Sequence, residues 1–289
     1  MEAAKRIEQS LGTILAQAST PECPPRLMAA VRHAVFPAGA RVRPRLCLAV
    51  ARACGEDDPP ATDAAAAAVE LLHCASLVHD DLPCFDDAAT RRGQPSVHAA
   101  FGQCLAVLAG DALIVHAFQA LAVAGARHPS RLPALLNTMG RAVGMPGGIV
   151  AGQAWECETN VVLSDYQRAK TGALFAAATA AGAATAGHDP AAWRALGEWL
   201  GEAYQVADDI RDVVGRSDEI GKPSGRDAAL GRPSAVHELG AAGALKRLRY
   251  LIASSIEATP PCDGTDDLRQ LIHAEARRLV PAEIARRVA

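Results

Sequence analysis

The feature that most constrains the fold of this chain is an almost unbroken succession of helical segments. No long stretch alternates apolar and polar residues, and few runs are rich in β-branched residues. Half of the residues are hydrophobic but only 4% are aromatic, and the excess is mostly alanine, which favours helix. The predicted helices cover residues 2–18, 25–35, 41–54, 61–82, 101–125, 131–143, 147–157, 165–187, 190–214, 234–240, 242–257 and 265–280.

These helices predict one all-α domain over residues 1–289, because no linker is long enough to divide the chain and no internal repeat appears. Thr62 and Asp63 are expected to cap the helix of residues 61–82, and Asp189 the helix that starts at the next residue, a proline. The longest irregular stretch, residues 216–233, is expected to be a mobile flap.

Charge and cysteine content exclude several classes of function. The chain has 29 basic and 32 acidic residues and a formal net charge of −3, so neither nucleic acid nor an anionic membrane is the expected partner. The 8 cysteines form no C-x-x-C pair, which predicts reduced thiols and a cytoplasmic protein. The first residues lack the apolar core of a signal peptide, and the uncharged run 171–187 is too weakly hydrophobic to span a membrane.

Two acidic clusters stand out because they end or interrupt apolar helices. The first, in LVHDDLPCFDDAATRRG, contains Asp80, Asp81, Asp86 and Asp87. His73 is seven residues before the first of these and shares its helical face. The proline after the first pair is expected to break the helix, so that Asp86 swings back beside Asp80.

The second cluster is in AYQVADDIRDVVG. Asp208 and Asp212 are four residues apart and Asp209 is three from the latter, so all three crowd one side of a helix together with Gln205. The pairs Asp57-Asp58 and Asp266-Asp267 serve as controls, since they fit a loop and a helix start.

Carboxylate clusters of this kind suit Mg²⁺, which shares its oxygen ligands with the phosphates of a substrate. No EF-hand loop is present to indicate calcium. Basic residues that could bind phosphate oxygens directly are Arg43, Arg91, Arg92, Lys170 and Lys222.

These motifs together resemble the trans-isoprenyl diphosphate synthases. DDLPCFDDAATRRG resembles their first aspartate-rich motif and DDIRD their second, while FPAGARVRPRL, ELLHCASLVHDD, AVLAGDAL, GGIVAGQ, KTGALF, YQVADDI and GKPSGRD match further blocks in family order. The resemblance covers about residues 30–235. It is greatest to bacterial geranylgeranyl diphosphate synthases of carotenoid pathways.

The resemblance implies an isoprenoid synthase fold, a bundle of about ten to thirteen helices around a deep apolar cavity with both aspartate motifs at its mouth. It also implies a homodimer and three Mg²⁺ ions per active site. The implied reaction is head-to-tail condensation of isopentenyl diphosphate with an allylic diphosphate.

The resemblance also implies a role for each matching residue. Asp80, Asp86 and Asp208 would bind Mg²⁺, with Asp81, Asp209 and Asp212 in support. The allylic diphosphate would be bound by Arg91, Lys170, Thr171, Gln205 and Lys222. Isopentenyl diphosphate would be bound by Arg43, His73 and Arg92. A family lysine is Ala40 here, and Arg41 is expected to replace its phosphate contact. Trp155 and Glu156, which stand where the family often has an apolar residue and aspartate, receive no role.

Product length is expected to follow from the small residues Ala75 and Ser76, about one turn before the first motif. They favour geranylgeranyl diphosphate (C20), with farnesyl diphosphate (C15) as the alternative if Phe118 or Leu113 closes the cavity. A non-catalytic subunit of a heteromeric synthase is a further alternative, although such subunits lose one aspartate motif. DDIRD differs from the second motif of terpene cyclases.

Overall fold

The computed structural model describes residues 2–36, 39–214 and 234–279, and these are overwhelmingly helical. The α-helices are α1 Glu2–Ala18, α2 Pro25–Val35, α3 Val42–Ala53, α4 Pro59–Asp80, α5 Val97–Phe101, α6 Gln103–Gly125, α7 Leu132–Val143, α8 Ile149–Ala154, α9 Leu163–Gln167, α10 Ala173–Thr185, α11 Arg194–Val214, α12 Ala235–Glu257 and α13 Thr265–Leu279. Single turns of 3₁₀ helix occur at Trp155–Cys157 and Pro190–Trp193, and a π-helical turn occurs at Arg168–Gly172. The all-α prediction is confirmed.

One short antiparallel hairpin interrupts the helices. Its strands are β1 Thr90–Arg91 and β2 Gln94–Pro95. The two residues between them, Arg92 and Gly93, have φ of 53° and 75°. Positive φ at both central positions matches the tight turn that joins two twisted strands.

The start of α4 differs from the prediction. The helix begins at Pro59, and the side chain of Asp58 accepts a hydrogen bond from the backbone N–H of Ala61 at 3.4 Å. The predicted caps are therefore wrong, because an aspartate followed by proline at the first helical position already supplies the cap. Thr62 is instead buried inside the first turn, and Asp63 pairs with Arg6 at 2.7 Å.

Two of the predicted helices are interrupted in the structure. The segment 101–125 is divided at Gly102, whose φ is 89°. The segment 165–187 is interrupted by the π-helical turn Arg168–Gly172. The break predicted between the helices 234–240 and 242–257 is confirmed, since α12 joins two helical segments across a kink at Gly240, whose φ is 68°.

The chain forms two compact units, residues 1–140 with 180–190, and residues 141–179 with 191–289. The expectation of one domain over residues 1–289 stays a prediction. In the first unit, α4 packs against α1, α3 and α6. Its alanine-rich sequence is apolar on all sides, as expected of a helix buried in a core.

The second unit is built on the pairing of α11 with α12. Ala203, Val206 and Ile210 of α11 pack on Leu248 and Leu251 of α12 in one buried cluster. This packing fixes one face of α11 in the core. The second acidic cluster lies on the same helix.

Two helices in the described part of the chain are long and apolar enough to span a membrane, α4 and α6. The most apolar stretch of α4 is 78% buried inside the protein, so α4 is a core helix. The corresponding stretch of α6 is only 33% buried. That helix therefore presents an apolar face to solvent.

Candidate active site

The first acidic cluster forms a tight turn at the end of α4. The helix ends at Asp80, and the backbone N–H of Asp86 donates to the carbonyl of Asp80 at 3.0 Å. The N–H of Ala88 donates to the carbonyl of Asp81 at 3.1 Å, which closes the loop. A carboxylate oxygen of Asp80 lies within 4.8 Å of one of Asp86. The chain thus folds back as expected from the proline after the helix.

The two adjacent aspartates at the end of α4 have different environments. Asp81 is only 2% exposed, and Arg91 of the hairpin binds both of its oxygens, with Nε at 3.0 and 3.2 Å. Burial raises the pKa of Asp81, and the hydrogen bond from Arg91 acts in the opposite direction. The carboxylate of Asp80 lies 3.9 Å from Arg91 and remains partly exposed. Of the two, Asp80 is therefore the one suited to ligate a cation.

Basic residues surround His73 in the first unit. Arg43 Nη1 is 3.5 Å from His73 Nε2. Desolvation lowers the pKa of His73 well below its usual range, and the charges of Arg43, Arg92, Arg91 and Arg41 add to the effect. The imidazole is therefore neutral near pH 7, beside a concentration of positive charge that suits a diphosphate.

Arg41 has other partners than the sequence predicts. Its guanidinium is buried, with Nη1 2.6 Å from Glu70, Nε 2.9 Å from Glu8 and Nη2 2.9 Å from the carbonyl of Val35. Its three nitrogens are thus engaged by protein acceptors. This geometry does not support the predicted replacement of the missing phosphate contact at Ala40.

Glu70 is a residue that the sequence patterns did not single out. It is buried between Arg41, at 2.6 Å, and Arg92, at 3.9 Å. The signal was present, because a lone acid in the apolar run AAAAAVELLHC needs a buried partner. Arg92 is also held close to the backbone, since a Cβ at Gly39 would lie 2.8 Å from its guanidinium carbon.

In the second unit, Lys170 and Thr171 lie in the π-helical turn Arg168–Gly172. Such turns shift the helical register by one residue and are frequent at functional sites. The ammonium of Lys170 donates to Glu156, and the Thr171 hydroxyl donates to Oε1 of Gln205 at 2.8 Å. The adjacent side chains of this turn therefore have different partners, Glu156 for Lys170 and Gln205 for Thr171.

The second acidic cluster also divides into buried and exposed members. Asp209 is buried, and it accepts hydrogen bonds from Gln205 Nε2 at 2.9 Å and from the backbone N–H of Ala235 at 2.7 Å. The side chain of Asp208 is 48% exposed and lies 2.9 Å from Arg211. Asp212 is partly exposed on the same helix. Asp209 is thus held by hydrogen bonds within the protein, while the carboxylate of Asp208 is accessible to solvent.

The two residues expected to govern product length lie on α4. Ala75 is buried, and the hydroxyl of Ser76 donates to the carbonyl of His73 at 2.8 Å. Lys222 and the predicted flap lie outside the described residues.

The sequence and the fold of this chain are similar to those of known proteins. The polyprenyl synthetase family matches residues 24–260. The geranylgeranyl diphosphate synthase of Cereibacter sphaeroides is 50% identical over 98% of this chain and 99% of its own, and that of Rhodobacter capsulatus is 48% identical over 98% of both. A solved geranyltransferase from Helicobacter pylori, complexed with magnesium and isoprenyl diphosphate, is similar with a TM-score of 0.82, 27% identity and 96% coverage of both chains.

The chain belongs to the polyprenyl synthetase family. The resemblance read from the aspartate motifs is thereby confirmed, and so is the isoprenoid synthase fold. The residue roles implied by that resemblance stay predictions.

In each unit of this polyprenyl synthetase family member, the acidic side chains of the aspartate motif suit the Mg²⁺ on which the family's catalysis depends. Asp80 and Asp86 offer close carboxylate oxygens in the first unit, and Asp208 offers a half-exposed one in the second. Carboxylate oxygens are the ligands that Mg²⁺ prefers, and incomplete burial leaves room for water and phosphate.

Proposed function

We propose that this protein condenses isopentenyl diphosphate head-to-tail with allylic diphosphates in the presence of Mg²⁺ and makes geranylgeranyl diphosphate. The observation that carries the proposal is the full-length similarity to two synthases of that name. The partly exposed Asp80, Asp86 and Asp208 support the metal dependence. Diphosphate binding is supported by the arginines near His73 in the first unit and by Lys170 in the second.

Each group of residues has a physical role in this reaction. The carboxylates of Asp80, Asp86 and Asp208 would hold Mg²⁺, with three ions expected from the family. When bound, the metal supplies positive charge to the leaving diphosphate. Arg91, Lys170, Thr171, Gln205 and Lys222 would bind the allylic diphosphate, and Arg43, His73 and Arg92 isopentenyl diphosphate.

The reaction then proceeds without a side-chain base. The allylic C–O bond breaks and the diphosphate leaves, stabilised by the cationic side chains. The double bond of isopentenyl diphosphate attacks the allylic cation, which must be kept from water until the new bond forms. A proton is finally lost to the released diphosphate. The product is five carbons longer than the primer.

The C20 product is supported by the small side chains of Ala75 and Ser76, which occupy less space before the first motif than aromatic rings would. Farnesyl diphosphate is the alternative product. Leu113 is buried in α6, and Phe118 of the same helix is partly buried. Either would shorten the product if it closed the cavity.

We also propose that the protein is a homodimer and acts in the cytoplasm. Helix α6 exposes large apolar side chains, with Val107 at 42%, Leu108 at 50%, Val115 at 53% and Val123 at 72%. A second copy of the chain would cover this face, because a two-fold axis brings the same apolar patch of both subunits together and removes it from water. The eight cysteines are free, as expected in a reducing compartment.

The test is a set of incubations with Mg²⁺, isopentenyl diphosphate and an allylic primer of C5, C10 or C15, with the product length measured by mass. We expect a C20 product that EDTA, Asp80→Ala or Asp208→Ala abolishes. Asp267→Ala is the matched control, because this exposed aspartate at the start of α13 should leave activity intact.

Other outcomes separate the alternatives. A C15 end point would keep the reaction and reject the assigned product. No product from any primer would favour the non-catalytic subunit, and a cyclic hydrocarbon would favour a cyclase.

A further inference from the structure

Glu156, to which the sequence patterns assign no role, is the meeting point of three hydrogen-bond donors in the second unit. It lies in the 3₁₀ turn that follows α8. Tyr166 donates its hydroxyl to Oε1 at 2.6 Å, Gln153 donates Nε2 to Oε2 at 3.1 Å, and Lys170 donates its ammonium to Oε1. Both oxygens of the carboxylate are thus engaged.

These contacts hold the carboxylate from two helices. Gln153 is three residues earlier on α8, while Tyr166 belongs to α9. The side chains of Glu156 and Lys170 are 17% and 19% exposed, so their charges interact with less screening than a surface pair. The Tyr166 ring also lies 5.9 Å from the ammonium of Lys170.

The backbone of Lys170 is held by the same helix. A Cβ at Gly152 would lie 2.4 Å from the backbone nitrogen of Lys170 and 2.5 Å from its Cα. Only glycine permits this approach of α8 to the π-helical turn. Helix α8 and the 3₁₀ turn that follows it therefore fix both ends of Lys170, the main chain through Gly152 and the ammonium through Glu156.

We propose that Glu156 is a positioning residue, which with Gln153 and Tyr166 fixes the ammonium of Lys170 for contact with the diphosphate of the allylic substrate. The inference rests on the proposed function, which assigns Lys170 to that diphosphate. An ammonium has three donors, so the bond to Glu156 is compatible with a phosphate acceptor.

Loss of Glu156 would have two opposing effects. A carboxylate competes with the diphosphate for Lys170, so its removal tends to lower KM. It also holds the ammonium where charge develops as the diphosphate leaves, so its removal lowers kcat. Because a fixed donor acts most strongly on the transition state, the loss of kcat should dominate.

The experiment is a double-mutant cycle of Glu156→Gln and Lys170→Ala, with kcat and KM measured for geranyl diphosphate at saturating Mg²⁺ and isopentenyl diphosphate. We expect Glu156→Gln to lower kcat by roughly tenfold to a hundredfold, with a smaller change in KM. In the Lys170→Ala background the same change should have less than about a twofold effect. Glu156→Asp, which keeps the charge, should retain more activity than Glu156→Gln.

The matched control is Glu202→Gln, which removes an ion pair with Arg247 in the same unit and should leave kcat unchanged. Thermal unfolding of each variant shows whether the protein is folded, so that a loss of kcat in a folded variant can be assigned to displacement of the Lys170 ammonium. If Lys170→Ala has no measurable turnover, calorimetry gives the affinity of each variant for geranyl S-thiolodiphosphate. These affinities then replace kcat in the double-mutant cycle.

The inference is overturned if the two single effects multiply, if Lys170→Ala retains full activity, or if Glu156→Gln lowers KM without lowering kcat. Failure of the wild-type protein to elongate any primer would instead reject the proposed function.

Discussion

Arg91 holds the carboxylate of Asp81 at the end of α4, with its Nε 3.0 Å from one oxygen and 3.2 Å from the other. The adjacent Asp80 is held less closely, since its carboxylate lies 3.9 Å from Arg91. Two neighbouring aspartates of one motif thus have different environments.

We therefore predict different results for Asp80→Asn and Asp81→Asn. Asp80→Asn should raise the Mg²⁺ concentration for half-maximal activity by about tenfold or more, because a metal ligand is lost. Asp81→Asn should leave that concentration within about threefold. It should instead destabilise the protein by roughly 3–5 kcal/mol, because Arg91 loses its buried partner. Activity titrations with Mg²⁺ and denaturant unfolding measure both quantities, and equal shifts in the Mg²⁺ titration would contradict this division.

The sequence predicted the aspartate motif but not the different environments of Asp80 and Asp81. Successive helical residues point about 100° apart, so only one of Asp80 and Asp81 could face the hairpin. Which aspartate faces the hairpin depends on the position of Arg91. The sequence does not predict that position, because strands of two residues are too short to show a periodic pattern. The same applies to Asp208 and Asp209, because the burial of Asp209 depends on the return of the chain at Ala235.

The positions of the helices could be predicted from the sequence better than the environments of the aspartates. The bounds of α1 and α2 follow from apolar periodicity and flanking breakers, since neither helix contains an internal glycine kink or proline. The π-helical turn was not predictable, because one extra residue per turn is set by the packing of α8 against it. The position of Glu156 depends on that packing too.

His73 should make the stability of the protein depend on pH. Its pKa is lowered in the folded state, first by desolvation and then by nearby arginines. Below about pH 6.5 the unfolded chain therefore binds a proton that the folded protein does not. The free energy of unfolding should fall on acidification from pH 7 to pH 5, by at most about 1.4 kcal/mol per pH unit from this residue.

Unfolding by urea at several pH values measures this slope. His73→Gln should reduce it, while His273→Gln, at an exposed position of α13, should not. An unchanged slope in His73→Gln would show that folding does not lower the pKa of this histidine.

Ser76 should affect the length of the product. It is half-buried in α4, one turn before the first motif. Ser76→Phe adds an aromatic ring there, so the chain should stop at C15 instead of C20. Ser76→Ala is the control and should retain the C20 product. Mass analysis of the products decides, and a C20 product from an active Ser76→Phe variant would remove this position from the cavity floor.

The exposed face of α6 should determine the oligomeric state. Leu108→Glu adds a charge to a side chain that is 50% exposed, and its burial in a dimer would be unfavourable. We expect this variant to sediment as a monomer while the wild-type protein sediments as a dimer. Leu239→Glu is the control, because Leu239 is 51% exposed on α12. A dimeric Leu108→Glu variant would place the interface elsewhere.

Two glycine-to-alanine changes should have opposite effects on stability. Gly152→Ala places a methyl group 2.4 Å from the backbone nitrogen of Lys170, which cannot move aside as a flexible side chain would. The variant should lose roughly 1–3 kcal/mol and much of its kcat/KM, because α8 must shift away from the π-helical turn. Gly140 lies in α7, where a methyl group would meet no atom within 4 Å among the described residues. Gly140→Ala should therefore stabilise the protein by about 0.5–1 kcal/mol, since alanine restricts the unfolded chain more.

Denaturant unfolding and steady-state kinetics of both variants test the contact between α8 and Lys170. If Gly152→Ala were as stable and active as Gly140→Ala, the approach of the two segments would be too loose to position Lys170. If Gly152→Ala were as stable as the wild-type protein but slower, the contact between α8 and Lys170 would affect catalysis and not stability. Loss of stability together with rate is the result that the backbone distance predicts, because a displaced α8 also carries Glu156 away from its partner.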